Sequence, residues 1–275
     1  MFEPAYLPQL SPLLPSYIGT SFGINHFRRL RLPEDPDIDP IHTHPYWELY
    51  FHISGKASFL INGHLYMLQP GDILIIQPNE AHMCIFPHRD LQEHYCLWMN
   101  LNGEYPLADS LAHGPLLRDQ SATHPALTIL LAKLWELQKI QGSELEQASA
   151  FLQILTTLRK KQYPCEIASP LPNSLQAVLQ DIDRNYLLIR NLSEITQRHF
   201  ISPATLNRWF REHLHISPKA YLEYKKLSHA VQLLSNGASV TEACFGSGFS
   251  DCSHFCAQFK KQFGQTPLQY KKISE

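Results

Sequence analysis

A chain of 275 residues with 44% hydrophobic and 17% charged side chains has an ordinary globular composition, long enough for two domains, which excludes a disordered or low-complexity protein. The net charge of −2 conceals an asymmetry: residues 1–169 hold 11 Lys and Arg against 17 Asp and Glu, whereas residues 170–275 hold 12 against 8. Only the second part is suited to approach a polyanion.

The arm over 1–20 is punctuated by prolines and lacks the basic start of a signal peptide. From Ser21 to residue 104 the pattern is short strands with turn punctuation. FLI-NG-HLYML (59–68) reads as a hairpin, because Asn62-Gly63 supplies the positive φ angles of a two-residue turn. Pro70-Gly71 then turns the chain into DILIIQP, and HMCIF and EHYCLWMNL follow. Six to eight strands without intervening helices predict an antiparallel barrel or sandwich.

The period changes after residue 105. Leu127, Leu130, Leu134 and Leu137 step by 3, 4 and 3, one stripe of a helix, which is either a dimer seam or the face packed on the barrel. LTILLAKLW (127–135), the most apolar run, is half a membrane span and carries a lysine. A second helix is expected over 143–161, with Ser143 as N-cap and Glu146 completing a capping box. The region 105–162 is thus helical, and the proline-rich 163–173 reads as a linker. The cysteines at 84, 96, 165, 244, 252 and 256 show no paired CxxC spacing, so reduced thiols in a cytoplasm are expected.

Residues 174–275 are helical by pattern and contain an internal repeat. Leu206, Phe210, Arg211, Leu214, Ser217, Pro218 and Tyr221 recur 49 residues later as Phe255, Phe259, Lys260, Phe263, Thr266, Pro267 and Tyr270. Each copy reads as a short helix, a turn and a longer capped helix, a helix-turn-helix unit whose second helix enters the major groove. In the first unit Asn207 can pair with adenine and Arg208 with guanine, while Arg211, Lys260 and Lys261 suit phosphates. Arg211, Lys225 and Lys226 read equally well as solvated charges.

GFSDCSHFCAQFKKQFGQTPLQYKK resembles the signature of the AraC/XylS family of transcription regulators, and ISPATLNRWFREHLHISPKAYLEYKKLSHAVQLL resembles the first half of the same domain. The resemblance implies two helix-turn-helix units bridged by a helix over 217–236, reading successive grooves about 34 Å apart. It carries base contacts onto Ala204, Asn207 and Arg208 in the first unit, and onto Cys252, Ser253, His254, Cys256 and Ala257 in the second; Thr205, Arg211, Lys260 and Lys261 are expected to contact DNA beside them. Where relatives commonly place an arginine this chain has Ala257, so the second unit is expected to discriminate bases less.

HTHPYWELYFHISG (42–55) places His42, His44, Glu48 and Gly55 at the spacing of the first motif of cupin barrels, which the first domain resembles. PNEAH (78–82) is similar to the second motif, with His82 as a fourth ligand, although Pro36 and Glu80 stand where that family has glycines. Even positions 42–52 are polar (His42, His44, Tyr46, Glu48, Tyr50, His52), whereas Trp47, Leu49, Phe51 and Ile53 are apolar. The even face is open to three readings: a solvent-exposed or structurally hydrogen-bonded polar face, a pocket for a small polar effector, or a metal shell. The preferred reading is the effector pocket, lined by His42, His44, Tyr46, Glu48, Tyr50, His82 and Trp98, with a sugar as the expected ligand. No catalysis and no cofactor are expected; His42, His44, Glu48 and His82 are the residues that would hold a metal. Together the readings define an α+β chain, a cupin-like antiparallel barrel with following helices and then an all-α double helix-turn-helix domain. Its expected partners are double-stranded DNA, the effector, RNA polymerase and a second copy of the chain, with no membrane.

Overall fold

The computed structural model describes residues 21–32, 38–86, 89–100, 116–118, 123–159 and 171–274. The arm, Pro36, Cys165 and most of the proline-rich segment lie outside them. The first part is a pair of antiparallel sheets. One has the order β1 (Ser21–Leu30), β8 (Leu91–Asn100), β3 (Trp47–Ser54), β6 (Ile73–Ile76), β9 (Leu116–Leu117); the other has β2 (Ile38–His42), β7 (His82–Ile85), β4 (Ser58–Ile61), β5 (His64–Met67). Asn62 and Gly63 take φ of 49° and 75°, the two positive angles that close the β4–β5 hairpin. The sheet continues past residue 104 through β9, whose two residues are too short to show any alternation.

Strand parity is resolved by burial on both sides. Tyr50, Phe59, Ile61, Leu74, Ile76, Cys84, Phe86 and Cys96 form one core between the sheets. The odd face of β3 forms another, where Trp47, Leu49 and Phe51 pack under α1 (Thr123–Lys139) and α2 (Glu144–Arg159). Phe22 stacks on Phe151 with centroids 4.1 Å apart. The leucine stripe belongs to this second core: Leu127 and Leu134 are buried, with Leu130 and Leu137 packed beside them. The seam is thus spent inside the chain, because the outer face of the five-stranded sheet is apolar and needs a cover.

The remaining helices are α3 (Asn173–Asn185), α4 (Leu192–Arg198), α5 (Pro203–Leu214), α6 (Pro218–Ser235), α7 (Val240–Gly246), α8 (Cys252–Phe263) and α9 (Pro267–Ser274). The 49-residue recurrence is structural as well as sequential. Capping boxes start α4 at Asn191/Glu194 and α7 at Ser239/Glu242. Ser202 and Asp251 cap α5 and α8, and His215 and Gly264 end them in the left-handed region at φ of 56° and 72°. Phe210 and Phe259 are fully buried at matching positions.

The two parts are joined by packing. Leu60, Leu65, Met83 and Ile85 on the outer face of the four-stranded sheet share one apolar cluster with Leu175, Val178, Leu179, Phe210 and Tyr221. The Gln176 amide lies 2.9 Å from His64 Nδ1 at the hairpin, and α6 meets the β2 end through Ser228 Oγ and Gln232 Nε2, 3.4 and 3.2 Å from Thr43 Oγ1. No helix among the described residues is long and apolar enough to cross a membrane.

Candidate functional site

The polar cluster forms where the two sheets meet. His42 ends β2 opposite His82, the first residue of β7, Glu48 sits in β3 opposite Trp98, and His44 lies in the connection between β2 and β3. One ligand atom from each of His42, His44, Glu48 and His82 lies within 4.8 Å of every other. His44 Nδ1 faces the Tyr46 carbonyl at 2.8 Å and His82 Nδ1 faces the Glu80 carbonyl at 2.9 Å. A carbonyl only accepts, so both Nδ1 atoms carry hydrogen and both Nε2 atoms point inward. They converge on Glu48 Oε2, His44 at 2.9 Å and His82 at 3.3 Å, the latter buried without a properly aligned hydrogen-bond partner.

Two imidazole Nε2 atoms aimed at one carboxylate need a cation between or upon them. Protons on the rings satisfy that need, and so does a metal ion; carbonyl-anchored Nδ1–H groups are what metal-ligating histidines use to fix their rings. The residues therefore fit a first-row divalent metal. Burial pushes the Glu48 carboxyl up, but the adjoining His44 and His82 imidazoles outweigh it and hold Glu48 well below the usual carboxylate range.

The sequence-predicted effector residues divide here. Tyr46 stacks flat on His44 at 4.3 Å, and Trp98 is half-buried at the edge of the intersheet core. Tyr50 departs from the expected lining: its ring packs inside that core against His94 at 4.4 Å and Phe59 at 4.7 Å. The even face of β3 runs from the cluster into a filled interior, so neighbouring even positions have different surroundings. Solvent exposure of that face is excluded, since His44, Glu48 and His52 are buried, whereas structural bonding of its polar groups is present: His44 meets Glu48 at 2.9 Å and His52 Nε2 meets the Gly55 carbonyl at 2.9 Å.

Glu80, in place of the expected glycine, closes the loop before β7 by accepting from Asn62 Nδ2 at 2.7 Å and the Gln77 backbone N–H at 3.1 Å. The next loop surface out, from Gln77 to Ala81, borders a cavity of about 290 Å³ whose opposite wall is Tyr186 and the α6 residues Lys225, Ser228, His229 and Gln232. The sequence reading missed this wall. Its residues come from two distant stretches, and each half is an unremarkable polar run.

On the second part, Ala204, Arg208 and Arg211 are exposed along α5, and Ser253, Ala257 and Lys260 are exposed along α8 at the same positions plus 49. His254 and Lys261 flank the latter on the surface. Thr205 and Asn207 are half-buried; Thr205 Oγ1 pairs with Ser202 Oγ at 2.9 Å, and Asn207 Nδ2 donates to the Pro203 carbonyl at 2.8 Å. Cys252 and Cys256 pack against the core of the second unit, leaving the polar neighbours to face outward.

Lys225 and Lys226 are not solvated charges. Lys225 pairs with Asp183 at 3.0 Å. Lys226 Nζ donates at 2.9 Å to both the Ile189 and the Gly248 carbonyls, joining the loop after α3 to the turn of the second unit.

These elements define a double helix-turn-helix DNA-binding protein carrying a ligand-binding barrel. The model of the AraC-like ligand binding domain matches residues 30–155, and that of the helix-turn-helix domain matches 195–273. Among curated relatives, the HTH-type transcriptional activator RhaS of Pectobacterium carotovorum is 28% identical over 83% of this chain and 86% of that protein. The uncharacterized HTH-type transcriptional regulator YbfI of Bacillus subtilis is 26% identical over 78% and 80%. Among solved structures, ToxT from Vibrio cholerae aligns over 92% of this chain and 98% of its own, at a TM-score of 0.38 and 13% identity. The chain belongs to the AraC family of transcription regulators.

Proposed function

We propose that this chain is a cytoplasmic, effector-controlled transcription activator with no catalytic step of its own. It would bind DNA through α5 and α8 as a homodimer, respond to a small polar ligand of the sugar class and engage RNA polymerase. The observation that carries the reading is the pair of matching exposed helix faces, one per unit, held by a single helix that also contacts the barrel. Protein that binds N-terminal ligand and DNA through packed parts can convert occupancy into a shift between arrangements. Ile129 and Leu145, 68% and 73% exposed on the outer surfaces of α1 and α2, support the dimer. RhaS is named an activator, which supports that sign.

Footprinting on the promoter of an adjacent gene, with and without sugars, tests the reading. Two protected stretches one helical turn apart, about 10 base pairs, are expected, with their occupancy altered by ligand. A single short stretch, or protection indifferent to every ligand, defeats it.

A second reading concerns the barrel alone and is favoured by the convergence of the His44 and His82 Nε2 atoms on Glu48 Oε2. His42, His44, Glu48 and His82 would hold a divalent metal, which when bound supplies a Lewis acid for a ligand oxygen; a metal-dependent enzyme fused to the DNA-binding part is its strongest form. Elemental analysis of purified protein should then give one manganese, iron, nickel or zinc per chain, lost on Glu48→Gln. Metal-free protein with unaltered melting in added metal ends it.

A further inference from the structure

We infer that Cys244 and Cys252 form a redox-sensitive thiol pair in the second helix-turn-helix unit, which a hydroperoxide closes into a disulfide that weakens this unit's hold on DNA. The inference goes beyond effector control, because it acts within the DNA-binding part and needs no ligand in the barrel.

Three of the six cysteines fall within residues 244–256. Cys244 lies on α7 and is fully buried, whereas Cys252 and Cys256 lie one turn apart on α8 and are half-buried. All three pack into one core with Phe249, Phe255 and Phe259. The turn between the helices folds back on Cys244. Its carbonyl accepts from the Phe249 N–H at 3.2 Å and from the Ser247 hydroxyl at 3.0 Å, and Phe249 meets Phe255 at 5.2 Å. The Cys244 and Cys252 thiols are thereby left hydrogen-bonded to each other. Cys256 is a poor rival for Cys252. Residues four apart on a helix hold their Cβ atoms about 5–6 Å apart, against roughly 3.8 Å across a disulfide.

Access divides the chemistry between the two thiols. Cys252, the first residue of α8 after the Asp251 cap, is the one a small oxidant reaches. Cys244 is sealed in the core, and burial, followed by the bond to Cys252, pushes its thiol up to about 12. It is the protonated resolving group. The Cys252 sulfur attacks one oxygen of the hydroperoxide R–O–O–H; the O–O bond breaks, giving Cys252–S–OH and the alcohol R–OH. The Cys244 sulfur then attacks that sulfenyl sulfur, its proton leaves with the hydroxide as water, and the S–S bond forms. The two thiols together lose two electrons, which the hydroperoxide takes up as alcohol and water. Cys84 and Cys96 are buried in the barrel, and burial pushes both thiols well up, so they stay silent.

An S–S bond of about 2 Å is shorter than the thiol hydrogen bond it replaces, so closure draws the first turn of α8 onto α7. That turn carries Ser253 and His254 on the outward face, and the Asp251 carboxylate caps it at the His254 N–H. Lys226 fixes the turn between the helices to α6 through the Gly248 carbonyl, so α8 takes up the displacement. Disulfides of this transient kind are the ones a reducing cytoplasm uses for sensing.

The test treats the reduced full chain with a small excess of hydrogen peroxide. Intact mass, peptide mapping and anisotropy on the promoter fragment used for footprinting follow the outcome. Wild type should lose two hydrogens, link Cys244 to Cys252, bind the fragment roughly tenfold more weakly, the loss of about one base-pair contact, and recover in dithiothreitol. The second protected stretch should fade while the first persists. Cys252→Ser should keep one affinity before and after peroxide, and Cys256→Ser should still form the disulfide. Linkage of Cys252 to Cys256, or oxidation of Cys252 to a sulfinic acid with Cys244 untouched, overturns the pair. A disulfide with unchanged binding overturns the switch. Reduced protein that protects no DNA sinks the two-groove reading alone; hydrogen exchange of the α8 amides then decides, faster in the disulfide form for the switch and unaltered against it.

Discussion

Arg208 and Ala257 occupy the same position of two equivalent helices, 49 residues apart and exposed on both. One unit presents a guanidinium there and the other a methyl group, so on the proposed reading the two faces would read DNA unequally. Arg208→Ala should cost about 1–3 kcal/mol at a single base pair and relax preference there. Ala257→Arg should add a preference at the second groove. Lys260→Ala should weaken every sequence alike and flatten the salt dependence by about one ion. Binding measured across single-base operator variants and a salt series separates these outcomes, and a sequence-independent loss for Arg208→Ala would remove it from the base-reading set.

Lys226 holds two carbonyls from different units. Burial lowers its pKa from the usual lysine value, and the carbonyl bonds satisfy the ammonium. Lys226→Met keeps the length and apolar stem but leaves both carbonyls without their donor, at a cost of about 1–3 kcal/mol for each one left dry. Chemical denaturation should register that loss, and footprints should show the second protected stretch weakened more than the first. Equal weakening of both stretches would mean that Lys226 contributes stability without setting the spacing.

Gly248, whose carbonyl Lys226 grips, has φ of 80°, and a Cβ added there would stand 2.8 Å from the Leu187 carbonyl oxygen. Left-handed backbone and close approach both demand glycine. Gly248→Ala should destabilise by about 1–3 kcal/mol, with Gly237→Ala as the comparison, since its φ of 90° carries the same strain but nothing lies within 4 Å. A larger melting loss at 248 than at 237 isolates the packing contribution; equal losses would assign all of it to the backbone.

How far these features were legible depends on the range over which they are encoded. The Asn62-Gly63 turn, the caps at Ser202 and Asp251 and the 49-residue recurrence are local, and a few adjacent residues specify each. The meeting of His42, His44, Glu48 and His82 was legible only through motif resemblance, because pairing across two sheets carries no local signal. Parity showed that β3 has two chemically different faces but not what covers each: α1 and α2 come from 70 or more residues downstream. Tyr50 could not be told from Glu48 because both lie on the even face, and only the filled interior separates them. Lys225 and Lys226 misled for a related reason. A helix lying between barrel and both DNA-reading units is buried nearly all round, so it hides even adjacent lysines. Thr43 against Ser228 spans 185 residues, and no sequence pattern announces it.

His94 gives the barrel an acid limit. Its ring stacks on Tyr50 at 4.4 Å and on Phe27 at 4.8 Å, and its Nδ1 is buried without a hydrogen-bond partner. Burial first, and then the neighbouring His52, bring its pKa down to about 3. The unfolded chain protonates an imidazole near pH 6.5, roughly its free value. Between the two values the unfolded state binds the extra proton, so this contribution to stability is intact above about pH 6.5 and drains away as pH falls toward 3. His94→Phe keeps a ring for the stacks and removes the titration. Its unfolding free energy should fall less steeply across that window than that of wild type, by up to about 1.4 kcal/mol per pH unit. Parallel curves for the two proteins would show that another group sets the acid limit.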